Sequence, residues 1–421
     1  MVTPAQEEVG ATFVEPRNFV KADPSMVRVI NRRSVIDAIQ HHGVLSRSQV
    51  ARVVGLSKPT VSEVFTDLLD AGLLREAGAT QGKQGPKALL YEINSEAAWV
   101  VGIDVGRRWI RAALADLSGR IVARHDERVR LRSNEILLDQ IGAMARTVMA
   151  ERSVGWDRVS QVTVGSPGVV DPARGQMMLA ANLPGWERQG MVESIRARFD
   201  SAVAIENDVN LAALGELWSG YGRQYDDFAY LWIGSGVGLG LVIDGKLHRG
   251  ARGLAGEIGY LPIGLEGADE SGPPWRGWFA GETVERAVAR LAGERGLDRP
   301  PTMRGVFAMA RRGDALAREV VELEARLLAR AVSTVAAVVD PEVVVLGGGI
   351  GHNGDLLTPT IESTLRALTP LSVQVVTSVL GTDAVLHGAV GSAVSDAWGR
   401  LLGTPMPDPD GGPPAGVTVG E

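Results

Sequence analysis

Apolar positions recur at helical spacing through the first ninety residues and later fall mostly into short continuous runs. Val29, Ile30, Ile36 and Ile39 predict an amphipathic helix from Ser25 that ends near Gly43. Ser46 opens a shorter helix with Val50, Val53 and Val54 inward, and Gly55-Leu56 turns the chain. Ser57 then caps a third helix, with Pro59 in its first turn where the missing N–H costs nothing. Val61, Val64, Leu68 and Leu69 give this helix a core stripe, while Lys58, Thr60, Ser62 and Thr66 point elsewhere. Two short helices about a glycine turn predict a helix-turn-helix. The turn-rich stretch 81–87 and the strand Ala88 to Ile93 predict a wing beside it.

From Trp99 the pattern changes. Apolar runs predict strands from Trp99 to Gly106, Ile110 to Asp116, Ile121 to Arg124, Val162 to Gly165, Ala202 to Glu206, Phe228 to Ile233, Val343 to Leu346 and near Val373 to Thr377. Helices are expected over Glu135 to Arg152, Leu211 to Gly220, several between Glu282 and Val339, and a last one from Ala384. Asp244-Gly245 predicts a tight hairpin turn. Two halves that each open with strands and end with helices predict a two-lobed α/β domain with a cleft between the lobes. The expected boundaries are a loose arm at 1–24, a winged helix-turn-helix domain at 25–95, the two-lobed domain at 96–402 and a Pro/Gly-rich disordered tail at 403–421.

A length of 421 residues allows two or three domains. No run approaches the ~18 apolar residues that a membrane span needs, and no signal-peptide pattern opens the chain, so no membrane partner is expected. With no cysteine, disulfides and thiolate metal sites are excluded, which fits the cytoplasm. The net charge of −7 is unevenly spread: between Ser25 and Leu90 nine Lys and Arg stand against five Asp and Glu. A basic head on an acidic body points to double-stranded DNA as a partner of the head. There Arg47 and Lys58 are candidates for phosphate contacts, Gln49, Ser57, Pro59, Thr60 and Ser62 line the presumed reading edge, and Lys83 and Lys87 sit in the wing. The competing reading is a helical dimerisation domain with a solvated charged face.

The strand from Phe228 runs into Gly234-Ser235-Gly236-Val237-Gly238-Leu239-Gly240, whose bare backbone N–H groups admit close approach of an anion or a sugar ring. A glycine run of this kind can also serve strand packing alone. Likewise Asn207 and Asp208 can cap the helix that follows them, and Glu257 can be a surface carboxylate.

Taken in order, GIDVG at 102–106, SPGVVD at 166–171, NLPGW at 182–186, ENDVN at 206–210, GSGVGLG at 234–240, AGEIG at 255–259 and PEVVVLGGG at 341–349 resemble the ROK family of sugar-responsive repressors and sugar kinases. The likeness runs from about residue 25 to 398. It implies an α/β fold: an N-terminal winged helix-turn-helix, then the two-lobed actin-like, ribonuclease-H-like ATPase architecture. It implies sugar contacts from Asn182, Asn207, Asp208, Glu257 and Gly168, with Asp208 as general base if the protein is a kinase. It also implies a vestigial nucleotide-phosphate site at Asp104, Gly106, Gly234, Ser235, Gly236, Gly347 and Gly348.

The sequence departs from the family pattern in places. Where the kinases carry Asp-x-Gly-Gly-Thr, this chain has Asp104-Val105-Gly106-Arg107-Arg108-Trp109. Tyr260 replaces a histidine that, with a cysteine cluster, normally holds zinc, so that zinc site cannot form. Trp275 and Trp278 stand in the segment that takes its place. The expected function is a sugar-responsive transcriptional regulator, a repressor, binding a palindromic operator as a homodimer or tetramer and answering to a sugar or sugar phosphate, with no cofactor. The alternatives are a sugar kinase using ATP and Mg that kept a DNA-binding head, and a ligand-blind regulator whose second domain only oligomerises.

Overall fold

A computed structural model of the chain describes residues 24–79, 88–130, 133–180, 183–234, 236–261 and 281–403. Asn182, Ser235, Lys83, Lys87, Trp275 and Trp278, named above as candidates, lie outside the described residues. The chain divides into two compact units, one up to Ile93 together with Leu402 and Gly403, the other from Asn94 to Leu401.

In the first unit α1 (Pro24–His42), α2 (Arg47–Val54) and α3 (Lys58–Asp70) surround a core, and β1 (Leu45–Ser46), β2 (Leu74–Ala79) and β3 (Leu89–Ile93) form an antiparallel sheet in the order β1-β3-β2. Ser46 caps α2 in a full capping box: its hydroxyl takes the Gln49 N–H, and the Gln49 side chain takes the Ser46 N–H. Gly55, at φ 69°, ends that helix in the left-handed region, and Ser57 caps α3 through the Thr60 N–H. The periodicity placed the core only in part. Val35, Ile36, Ala38 and Ile39 are the buried face of α1, whereas Ile30 is 57% exposed. In α2, Val50 and Ala51 are buried and Val53 is exposed. Ile30 lies around the helix axis from the buried face of α1, so its apolar character alone does not bury it.

The second unit has two lobes. The first holds β4 (Trp99–Val105), β5 (Trp109–Asp116), β6 (Ile121–Arg128), α4 (Asn134–Ala150), β7 (Val159–Ser166), the small hairpin β8 (Val169–Asp171) and β9 (Gln176–Met178), α5 (Met191–Arg196) and β10 (Val203–Asn207). Its main sheet runs β10-β7-β4-β5-β6, antiparallel across β4-β5-β6 and parallel across β10-β7-β4.

After α6 (Asp208–Ser219), the second lobe is built from β11 (Phe228–Ile233), β12 (Val237–Ile243), β13 (Lys246–Leu247), α7 (Gly281–Glu294), α8 (Met303–Arg311), α9 (Ala315–Val339), β14 (Val343–Gly347), the short α10 (Gly348–Gly351), α11 (Gly354–Leu368) and β15 (Gln374–Thr377). Its sheet, β13-β12-β11-β14-β15, repeats the strand order of the first. Asp244 and Gly245 turn β12 into β13 with φ of 51° and 65°, the left-handed pair that such a hairpin requires.

The final helix α12 (Ala384–Leu402) ties the lobes together with α6. Leu211, Ala212 and Ala213 of α6, Ala384, Val385 and Ala389 of α12, and Phe228, Tyr230, Val343 and Val345 of the second sheet share one core. Gly215 and Gly388 let the two helices meet backbone to backbone, since a Cβ at either would overlap a carbonyl oxygen of the other helix. On the first lobe, Val390 lies over Gly102 of β4, and the Trp398 indole N–H donates to the Leu117 carbonyl at 3.0 Å.

Candidate functional site

Two surfaces carry candidate chemistry. On the first unit, the face of α3 opposite its buried stripe (Val61, Val64, Phe65, Leu68) presents Lys58, Pro59, Glu63 and Thr66, all exposed. Several residues expected to face DNA have internal partners. The guanidinium of Arg47 lies 5.5 Å from the Phe65 ring centre and 5.3 Å from that of Tyr91, and donates to the Ser62 hydroxyl at 3.0 Å. Arg47 thus packs over the edge-to-face Phe65–Tyr91 pair, which engages part of the guanidinium expected to face phosphate. Ser62 is half-buried as its acceptor, Thr60 shares a 2.8 Å hydrogen bond with Ser57, and the Gln49 carbonyl is held in the capping box. The missed residue is Glu63. Its place one turn beyond Pro59, opposite Val61 and Val64, was available in the spacing.

Arg47→Ala is accordingly expected to destabilise the first unit by roughly 1–3 kcal/mol, through loss of the cation–π and hydrogen-bond contacts. Thermal unfolding checks this. An unchanged melting point with a reduced salt dependence of DNA binding would restore Arg47 to the phosphate contacts.

The second surface is a cleft of about 350 Å³ in the second unit. Loop 106–108 and Asp104 come to it from the β4–β5 hairpin, Pro167 and Gly168 from the end of β7, Asn207 to Asn210 from the β10–α6 junction, and Gly236 to Leu239 and Gly253 to Glu257 from the second lobe. Four of the five sugar-contact candidates named from the sequence (Gly168, Asn207, Asp208 and Glu257) converge here.

Asn207 both caps α6 and buttresses the cleft. Its Oδ1 accepts the Val209 and Asn210 N–H groups at 2.9 and 3.1 Å, and its Nδ2 donates to the Gly168 carbonyl at 3.1 Å. One amide hydrogen is left for a ligand. Gly168, at φ 89°, is a required glycine, because a Cβ would lie 2.8 Å from that of Ala180. Asp208 begins α6, and its carboxyl accepts the neighbouring Val209 N–H at 2.9 Å and is held besides by its own backbone N–H. Burial first, and the nearby charge of Asp104 second, push its carboxyl up to about 7. Burial also raises Glu257, whose carboxylate has no hydrogen-bond partner among the described residues. Two acids whose burial favours the protonated form, with one amide, suit the hydroxyls of a polyol.

The presumed phosphate residues divide. Gly236 faces open space on the cleft, as does Gly349. Gly347 and Gly348 serve packing: a Cβ on the first would overlap the Tyr230 hydroxyl, and Gly348, at φ 77°, fits against the Ile233 backbone. Gly234 lies under the Trp232 indole, where a Cβ would come 2.9 Å from Nε1. Gly106 closes a turn through its N–H to the Trp109 carbonyl at 3.0 Å.

Asp104 is buried and bonded to Arg111, Nη1 to Oδ2, at 2.7 Å, while Asp126 lies 3.8 Å from the same guanidinium. Burial outweighs this partner and raises Asp104 to about 6. Arg111 was not singled out from the sequence. It stands directly across from Asp104 in the β4–β5 register, so pairing the hairpin about its short loop identifies it. Asn210, Trp232, Leu179 and Thr382 were also missed as lining residues. Leu179 carries φ 56°, a costly backbone for leucine that lies on the cleft wall.

Comparison with known proteins places this arrangement. A family model described as ROK family matches residues 100–394, and one described as winged helix-turn-helix DNA-binding matches residues 30–75. The chain is 25% identical over 395 residues to the xylose repressor of Caldicellulosiruptor bescii, across 88% of this chain and 97% of that protein. A solved ROK family transcriptional regulator, a homolog of the E. coli MLC protein, shares the fold with a TM-score of 0.73 at 21% identity, covering 89% of this chain and 98% of its own. A ROK family glucokinase from Streptomyces griseus, solved with glucose and AMPPNP, matches with a TM-score of 0.61 at 26% identity, over 71% of this chain and 100% of that one. The second unit therefore has the two-lobed actin-like fold expected for it. With the family model spanning most of its length, and a winged helix-turn-helix unit ahead of that match, the chain belongs to the ROK family.

Proposed function

We propose that the protein is a transcriptional repressor that reads duplex operator DNA through α3 and its wing and answers to a sugar-class effector held in the cleft by Asn207, Asp208, Glu257 and Gly168. The joining of a winged helix-turn-helix to a cleft whose acids are arranged for hydroxyl groups carries this reading. The named xylose repressor with which the chain aligns over nearly its whole length supports it. A two-fold operator read by a homodimer or tetramer accords with the helix-turn-helix mode. The effector acts by binding the DNA-competent and DNA-incompetent states unequally.

Sugar phosphorylation by ATP is the second reading, favoured by Asp208, whose carboxyl near 7 suits a general base. The Asp104–Arg111 ion pair weighs against it. A metal-bound triphosphate calls for a carboxylate free to face the cation, and this one already has a guanidinium on it.

A mobility-shift assay on the protein's own upstream region, repeated across a sugar and sugar-phosphate panel, tests the proposal. One effector class should change operator affinity at least tenfold, and sugar-dependent ATP turnover abolished by Asp208→Ala would establish the kinase instead. Within the same assay, Lys58→Ala should weaken binding to all DNA and flatten its salt dependence. Glu63→Ala and Thr66→Ala should change which operator bases are preferred, because these side chains occupy the middle of the outer face. Preference unmoved in both, but altered by Ser62→Ala, would show that another edge of α3 reads the bases.

A further inference from the structure

The arginines in and beside the cleft are unequally engaged. Arg111 is bonded to Asp104, Arg124 forms paired hydrogen bonds with both Asp126 and Asp383, and Arg128 lies over the Trp109 ring at 5.2 Å. Arg107 and Arg108 line the cleft, are exposed, and make no side-chain hydrogen bond or ion pair among the described residues. They do not hang from a loose loop. The Gly106 N–H is bonded to the Trp109 carbonyl at 3.0 Å, and the Arg108 carbonyl accepts the Val129 N–H at 3.1 Å. Two forked cations thus project from a pinned turn, and the carboxylate behind them is neutralised by Arg111. Asp208 and Glu257 line the same cleft and offer hydrogen bonds to hydroxyls. Bare backbone at Gly236 and Gly349 completes the lining.

We infer that Arg107 and Arg108 form a monophosphate subsite, and that the effector is a phosphorylated monosaccharide rather than a neutral sugar. Adjacent guanidinium forks match the several oxygens of a phosphate dianion, which a hydroxyl or a single carboxylate would leave partly unused. A cleft of about 350 Å³ is at the small end of ligand sites and has room for a sugar phosphate. The inference rests on the repressor reading, since it concerns the same cleft.

Calorimetric titration of the full-length protein separates the two. The probes are hexose 6-phosphates and pentose 5-phosphates, each beside its free sugar, with inorganic phosphate, a hexuronate and Mg–ATP alongside. At least one sugar phosphate should bind tenfold or more tightly than its free sugar. In the Arg107→Ala/Arg108→Ala variant its affinity should fall to that of the free sugar, with the melting point and operator affinity unchanged, and Arg107→Lys/Arg108→Lys should restore part of the difference. Equal affinities for phosphorylated and free sugar, or a preference that survives in the alanine variant, would overturn the subsite and leave the repressor reading standing. So would tighter binding of the hexuronate. Mg–ATP binding that depends on the arginines would assign them to a nucleotide. If no sugar or sugar phosphate binds while operator binding persists, the effector reading itself fails along with the subsite.

Discussion

Asp208→Asn is expected to leave operator binding intact and to remove the effector's influence on it. The side chain starts α6, at the convergence of both lobes, and among the described residues its carboxyl is held by local backbone N–H groups and no side chain. The amide keeps the shape, but it can neither ionise nor accept at two oxygens. Loss of a charge-assisted hydrogen bond to a hydroxyl typically costs about 1.5–3 kcal/mol, so effector affinity should fall roughly ten- to a hundredfold.

The same substitution has a signature in stability. Asp208 sits at about 7 in the fold against an ordinary value of 3.8, so the folded protein holds this proton more tightly than the unfolded chain. The resulting stabilisation is complete below about pH 4 and lost as pH rises through 7. Between pH 5 and 8 the melting temperature should therefore drop more steeply for the parent protein than for the asparagine variant. Parallel curves in a differential scanning experiment would show that Asp208 titrates as an ordinary carboxyl.

Gly388→Ala should lower the melting temperature by about 5 °C or more, corresponding to overpacking of roughly 1–3 kcal/mol or beyond. The added methyl would overlap the Leu211 carbonyl oxygen, and the Leu211 carbonyl carbon would lie 2.5 Å away. These are backbone atoms and cannot rotate aside, so α6 and α12 must separate. As Asp208 begins α6 and Val385 of α12 lines the cleft, effector binding should weaken too. Gly293→Ala provides the control: its Cβ would meet nothing within 4 Å and the residue lies in α7, so it should be neutral or slightly stabilising. An alanine at 388 no more harmful than one at 293 would mean that the two helices do not meet at backbone contact.

Local chemistry was the most legible part of the sequence. The caps at Ser46 and Ser57, the Gly55 turn and the Asp244-Gly245 hairpin are each set by a few adjacent residues with particular backbone demands. The glycine-rich motifs marked the cleft, but not which glycines face it: Gly236 does, while Gly347 and Gly348 are fixed by Tyr230 and Ile233 from a strand more than a hundred residues earlier. Tertiary partners were the hidden part. The packing of Arg47 over Phe65 and Tyr91 cannot be read from its place in the chain. Ile30, six residues before Ile36, turns to the side of α1 away from its buried Val35, Ile36 and Ile39. Arg111 is the instructive case, because strand register alone determines it.

The bond from the Trp398 indole to the Leu117 carbonyl joins groups 281 residues apart. During synthesis the strands of the first lobe emerge long before the helix that lies over β4. Until α12 arrives, Gly102 and its apolar neighbours have no cover on that side. Nascent chains should thus pass through a stage with a formed but unsealed first lobe, slow to complete and open to chaperones or to self-association. Shortening the chain ahead of Trp398 should trap that stage, turning a local deletion into a defect at the opposite end of the domain.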